Sequence, residues 1–140
     1  MFAILLDPDK IPLEKMAEKK AQILSEKANI LLVGGSLVQQ PKIDSFIEKA
    51  QEIFGLPVCL FPGSPVQFSD RADALLFLSL ISGRNADYLI GRHIEIAPLL
   101  KRLPIEVIAT GYMLVNHGEM TSVGYISNTQ AIPAHKPDIA

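Results

Sequence analysis

The stretch Ala3-Ile4-Leu5-Leu6-Asp7-Pro8-Asp9-Lys10 is an apolar run halted by an acid and a proline, and Val33-Gly34-Gly35-Ser36 closes a second apolar run just as abruptly. In a chain that alternates strands and helices, such a stop marks the carboxyl end of a strand, the rim on which these folds build their sites. An acid after one strand and a Gly-Gly-Ser after the next place a carboxylate and a hydroxyl on one rim. That pairing suits a hard divalent cation and a phosphorylated ligand.

Working outward, residues 3–6 show no polar alternation, which predicts a strand covered on both faces. Pro12 suits the first turn of a helix with Leu13, Met16, Ala17, Ala21 and Leu24 at helical spacing and Glu14, Glu18 and Lys19 on other faces. Residues 30–33 form the second strand. The next helix starts near Pro41 and carries the stripe Ile43, Phe46, Ile47, Ala50, Ile53 and Phe54 up to a capping Gly55. A third strand, 58–61, ends at Pro62-Gly63-Ser64, and a weakly helical segment spans 65–72. The fourth strand, 74–80, ends at Ser82-Gly83-Arg84-Asn85. The helix after it shows Ala86, Leu89, Ile90, His93, Ile94 and Ala97 on one face, with Pro98 set to kink or end it and Pro104 closing the segment. The fifth strand, 107–109, ends at Thr110-Gly111-Tyr112. Beyond residue 115 the period fades among Asn116, His117, Gly118, Gly124, Asn128 and Pro133. There, residues 123–126 read as a short extra strand and 136–140 as the start of another helix.

This alternation predicts an α/β fold with a parallel sheet whose strands all end on one side. An open doubly wound sheet closes at this length. A TIM (β/α)8 barrel needs about 250 residues, so this chain would hold about the first five β/α units. The start at a strand and the stop inside a helix favour the incomplete barrel, with residues 1–140 as a single domain, the amino-terminal part of a larger one.

Composition narrows the function classes. Apolar residues make up 49% and charged residues 20%, the balance of a folded chain. A net charge of −2 supplies no basic field for nucleic acid or anionic membrane. The longest apolar run, 74–81, is too short to cross a bilayer, and no secretory leader opens the chain, so the expectation is a cytoplasmic protein without an integral membrane segment. The single cysteine, Cys59, reads as a small core residue. His93, on an apolar helical face, reads as a satisfied helix-interface histidine, and no metal-ligand spacing links it to His117 or His135. Dinucleotide, P-loop and nucleophile-elbow signatures do not occur. Phe61, Phe68 and Phe77 read as core, or as the lining of an apolar groove near the third and fourth strand tips.

Two candidates keep two readings each. Asp7 is a turn aspartate before Pro8 or a carboxylate ligand for Mg²⁺, an ion that takes one or two protein carboxylates and fills its shell with water and phosphate oxygens. Gly34-Gly35-Ser36 is a turn needing positive φ with Ser36 as a local cap, or a second ligand hydroxyl with little bulk around it.

Taken together and in order, Leu5-Leu6-Asp7-Pro8-Asp9-Lys10, Val33-Gly34-Gly35-Ser36, Ser82-Gly83-Arg84-Asn85-Ala86-Asp87-Tyr88-Leu89-Ile90-Gly91 and Thr110-Gly111-Tyr112 resemble the geranylgeranylglyceryl phosphate synthase family. The run from Thr121 to Pro133 resembles members with a longer insert there, and the likeness spans essentially the whole chain. The resemblance implies a Mg²⁺-dependent prenyltransferase on a TIM barrel, joining sn-glycerol 1-phosphate to a polyprenyl (geranylgeranyl) diphosphate and releasing diphosphate. It implies Asp7 and Ser36 as metal ligands, Lys10 and Tyr112 as substrate-binding residues, and a homo-oligomeric parent. Two departures stand out. Some members carry a lysine where this chain has Leu5, and the family's main glycerol-phosphate cradle lies beyond the position of Ala140, so the chain by itself is expected to be inactive. Two other readings stand beside it: another phosphate-binding TIM-barrel enzyme, and a non-catalytic half-barrel assembly module.

Overall fold

The computed structural model describes residues 1–35, 43–116 and 118–139. The expected second ligand Ser36, the helix start near Pro41, and His117 lie outside these residues. Strands β1 (Ala3–Leu6), β2 (Ile30–Gly35), β3 (Val58–Pro62), β4 (Ala74–Ser79) and β5 (Glu106–Gly111) form one sheet in the order β1-β2-β3-β4-β5. The pairings β1–β2, β2–β3 and β3–β4 are parallel, as the alternation predicts. The helices are α1 (Lys20–Ser25), α2 (Ile43–Phe54), α3 (Arg92–Leu100) and α4 (Ser122–Ser127). A second, two-stranded parallel ladder joins β6 (Val115–Asn116) to β7 (Ile132–Pro133). The chain divides into two compact units, one holding residues 1–76 and 103–108 and the other residues 77–102 and 109–140.

The first unit is built on apolar burial. Leu31, Val33, Val58, Cys59 and Leu60 are fully covered, and α2 adds Ile43, Phe46, Ile47, Ala50 and Phe54. The period of the α2 sequence therefore predicts its inward face well; Ile53 is half-buried at its margin. Gly55 ends the helix in the left-handed region at φ 65°, its N–H donating to the Gln51 carbonyl at 2.9 Å. Asp73 fixes the register at the head of β3: its carboxylate accepts from Val58 N at 2.8 Å and its own N–H donates to Val58 O at 2.9 Å.

Five expectations need correction, the last of them the face of α3. Strand β1 is not covered on both faces. It lies at the edge of the sheet, and Ala3 and Leu5 are exposed. The first helix begins as a 3₁₀ segment, Leu13–Lys19, before α1. Three residues per turn instead of 3.6 rotates the inward face, so Met16 and Ile23 are buried while Ala17, Ala21 and Leu24 face solvent. Residues 65–72 form turns rather than a helix, because the Gln67 side chain accepts from Gly63 N and the Ser69 hydroxyl accepts from Arg71 N, satisfying the backbone locally. Residues 123–126 are helical, not a strand: the Thr121 hydroxyl caps the amino end of α4 by accepting from Gly124 N, and Asn128 closes it at φ 49°.

In the second unit α3 is preceded by a π-helical turn, Asp87–Gly91, and runs past Pro98 to Leu100 rather than ending at the proline. Its inward positions are Leu89, His93 and Ile96, half-buried, and Leu100, buried; Ile90, Ile94 and Ala97 of the expected face are exposed. Residues 137–139 make a single 3₁₀ turn.

Candidate functional site

Strand β1 ends at Leu6, which pairs with Val33 of β2, so the backbone leaves β1 at Asp7 beside Gly34. The parallel pairing puts both carboxyl ends on one rim. Asp7 then organises the turn that follows. Its carbonyl accepts from Lys10 N and Ile11 N, both at 3.0 Å, and its carboxylate Oδ1 accepts from Asp9 N at 3.1 Å. Oδ2 lies 3.1 Å from the Lys10 ammonium. The turn-aspartate reading is thus what the structure shows, and it leaves the carboxylate at the rim, 20% exposed, beside a lysine side chain that is 80% exposed.

Gly34 has a steric role. At φ 142° it sits opposite Phe61, and a Cβ there would lie 2.1 Å from the Phe61 carbonyl oxygen. Only glycine allows β2 and β3 to approach this closely. The positive φ expected of the Gly-Gly pair is therefore met at Gly34, inside the strand.

The donor set suits a hard cation modestly. Asp7 offers one carboxylate, and among the described residues no cluster of three or more His, Cys, Asp or Glu side chains occurs. Magnesium needs no such cluster, since water and phosphate oxygens complete its octahedron. The exposed Lys10 head is a weak competitor for an ion, because an exposed ion pair of this kind is worth about 1 kcal/mol or less.

Tyr112 belongs to the second unit, directly after β5. Its N–H donates to Ser79 O at 2.7 Å and its carbonyl accepts from Ile81 N at 3.0 Å, which laces the ends of β4 and β5 together. The tyrosine is half-buried. The structure thus brings Asp7 and Lys10 together in one unit and places Tyr112 in the other.

Of the remaining candidates, Cys59 lies in the core and the others are half-buried. His93 Nε2 donates to the Leu78 carbonyl at 2.7 Å, and its ring packs on Phe77 with centroids 4.2 Å apart, so it is a satisfied helix-interface histidine. Cys59 is fully buried, and burial pushes its thiol up to about 11, with a smaller push from Glu106 against the pull of a backbone hydrogen bond from Leu76. Phe61, Phe68 and Phe77 are each half-buried.

Sequence reasoning gave no role to the loop Ser82-Gly83-Arg84-Asn85, which is densely bonded. Ser82 Oγ accepts from Leu114 N at 3.0 Å; Arg84 N and Asn85 N both donate to Ser127 O, at 2.9 and 3.0 Å; Asn85 Nδ2 donates to Ile126 O at 2.8 Å. The available signal was a glycine between Ser and Arg-Asn, side chains that turn a loop back on itself.

The profile of the PcrB family matches residues 1–140. A Chitinophaga pinensis protein named geranylgeranylglyceryl phosphate synthase is 48% identical over 139 residues, covering 99% of this chain and 55% of that protein. A Sulfolobus acidocaldarius protein of the same name is 34% identical over 131 residues, covering 92% of this chain and 50% of its own length. Among solved structures, (S)-3-O-geranylgeranylglyceryl phosphate synthase from Thermoplasma acidophilum, in complex with substrate sn-glycerol-1-phosphate, superposes with a TM-score of 0.84 at 29% identity over 95% of this chain and 53% of that one. The wild-type enzyme from Thermoplasma volcanium superposes with a TM-score of 0.81 at 28% identity, over 94% and 53%. The chain spans about half the length of the relatives it matches. Its five parallel strands are the part of a TIM barrel that the strand–helix alternation predicts.

Proposed function

The chain belongs to the PcrB family, and from that premise we propose that the whole protein is a Mg²⁺-dependent prenyltransferase that joins sn-glycerol 1-phosphate to a polyprenyl (geranylgeranyl) diphosphate. The observation that carries this reading is the superposition on the Thermoplasma acidophilum enzyme, whose structure contains sn-glycerol-1-phosphate. In the reaction the glycerol hydroxyl oxygen bonds to the allylic carbon, that carbon's bond to the diphosphate oxygen breaks, the hydroxyl loses its proton, and diphosphate leaves. Bound Mg²⁺ supplies positive charge to the leaving diphosphate. Asp7, at the β1 tip, would hold the ion, with Ser36 as the second ligand. Lys10, already at the Asp7 carboxylate, offers a second cation to phosphate oxygens. Tyr112, backbone-locked between β4 and β5, takes part in substrate binding.

The chain alone is proposed to be inactive, since it has about half the length of its relatives and its strand β5 is largely exposed to solvent. The test joins this chain to the carboxyl-terminal part of the Chitinophaga pinensis relative and follows prenyl transfer with both substrates. Turnover that needs Mg²⁺, stops with a chelator and falls by at least roughly a hundredfold in Asp7→Ala supports the reading. Turnover indifferent to the chelator, or near-normal in Asp7→Ala, sinks the metal assignment. No transfer, with stable oligomers of the chain alone, supports the assembly-module reading, which the exposed β5 favours.

A further inference from the structure

Helix α4 is attached in an unusual way. Its only fully buried residues are Gly124 and Ser127; its large apolar side chains Val123 and Ile126 are half-buried, and Tyr125 is 76% exposed. Hydrogen bonds hold it instead. Three donors from the loop after β4 converge on its last two carbonyls: Arg84 N and Asn85 N on Ser127 O, and Asn85 Nδ2 on Ile126 O. Gly83 makes the approach sterically feasible, because a Cβ there would lie 2.8 Å from Ser127 O and 3.0 Å from Leu80 O. Asn85 is fixed for this task by its own Oδ1, which accepts from Asp87 N at 3.1 Å. Ser127 is wholly buried, its hydroxyl donating to Val123 O at 2.6 Å and accepting from the Thr129 hydroxyl at 2.7 Å.

Thr121 and Gly124 form one wall of a cleft of about 470 Å³, whose other walls include Leu114, Asn116, Glu119 and His135. The helix is flanked by two residues in the left-handed region, Gly118 at φ 105° and Asn128 at φ 49°. Gly118 has open space where a Cβ would stand.

We propose that α4 is a strap beside this cleft, latched by the grip of Gly83 and Asn85 on the carbonyls of Ile126 and Ser127, and that it unfastens as a unit, carrying its share of the cleft wall with it, while the sheet stays folded. The inference does not rest on the prenyltransferase reading. An element held chiefly by polar bonds, with little apolar burial of its own, lies at the low-stability end of a fold and opens on its own. Arg84 and Asn85 donate to the strap, so their amides are protected only while it is closed.

Amide hydrogen exchange on the intact chain tests this. In the native sequence, the amides of Arg84 and Asn85 exchange in step with those of Tyr125, Asn128 and Thr129, at least tenfold faster than those of β2. Asn85→Asp keeps the acceptor for Asp87 N but removes the donor to Ile126 and sets a negative charge against two carbonyls. It accelerates exchange at 121–129 at least tenfold and leaves β2 and β3 unchanged. Gly83→Ala gives the same pattern by steric means. Exchange of α4 at the rate of β2 in the native sequence overturns the proposal without any variant. So does unchanged exchange at 121–129 in Asn85→Asp, or acceleration spread equally over β2 and β3.

Discussion

Helix α2 buries Ile43, Phe46, Ile47, Ala50 and Phe54, whereas α3 buries only Leu100 and leaves Ile90 60% and Ile94 68% exposed. Both helices carry apolar residues at helical spacing. The difference lies in how each is fastened. In the first unit α2 presents a wide apolar face to fully covered strands. In the second, α3 is tied to β4 by polar bonds, His93 Nε2 to Leu78 O at 2.7 Å and Leu80 N to Tyr88 O at 3.0 Å. Burial of each large aliphatic side chain is worth about 1.5–3 kcal/mol, while a typical hydrogen bond nets about 1 kcal/mol. Stability should therefore concentrate in the first unit, and substitutions should register there first.

The largest effect is expected at the tightest point of that unit. Gly34→Ala adds a Cβ 2.1 Å from the Phe61 carbonyl oxygen at a φ of 142°, and neither β2 nor β3 can yield without losing the other. A loss of about 3 kcal/mol or more is expected, visible as a collapsed urea midpoint. A variant of near-normal stability would mean that β2 and β3 do not meet as closely as described.

Next comes a direct contest between the two helices. Ile47 is fully buried, so Ile47→Ala should cost about 2–5 kcal/mol. Ile94→Ala, on the open face of α3, should stay within about 0.5 kcal/mol of the parent. Equal losses from the pair, read by urea denaturation in one buffer, would break the comparison between the units.

Those two helices also show how far the sequence could be read. The α2 stripe predicted its buried face because α2 is a regular helix whose partners, β3 and the 3₁₀ segment with α1, all lie on one side of it. The α1 region failed because the same spacing was read at 3.6 residues per turn where the chain begins at three, which moves Leu24 outward and Ile23 inward. The α3 face failed for another reason. Its apolar residues lie on more than one side, and periodicity says which residues seek cover, not what covers them. At the rim, the turn role of Asp7 was legible because an aspartate before a proline at a strand's end bonds the backbone of the turn that follows. The Gly83–Ser127 contact was not, since it joins residues far apart in sequence through backbone atoms that every residue carries.

A smaller, pH-dependent effect should sit in the first unit alone. The Cys59 thiol is pushed from 9.0 up to about 11, chiefly because burial disfavours the thiolate. A raised folded-state value means that the stabilising contribution is whole below the unfolded value and is lost as pH climbs through the folded one. Stability should thus decline between about pH 9 and pH 11 more steeply in the parent than in Cys59→Ala. At pH 8 a thiol reagent should label Cys59 only after denaturant is added. Fast labelling of the native chain would show that β3 is less protected than its full burial indicates.

The smallest effect is expected at the rim, where the ion pair between Asp7 and Lys10 lies. Lys10 is largely exposed, so Lys10→Met should change stability by less than about 1 kcal/mol. Its consequence for ion binding has a definite sign. An ammonium 3.1 Å from Oδ2 both repels an incoming cation and occupies an oxygen that the cation would use. Removing it should tighten Mn²⁺ binding, used as a paramagnetic stand-in for Mg²⁺, by about two- to fivefold, which is the same energy seen from the other side. Asp7→Asn should abolish that binding while leaving the turn intact, because an amide oxygen still accepts from Asp9 N. Weaker Mn²⁺ binding in Lys10→Met would mean that the lysine helps to hold the rim open for the ion rather than competing with it, and would shift its place in the site from competitor to support.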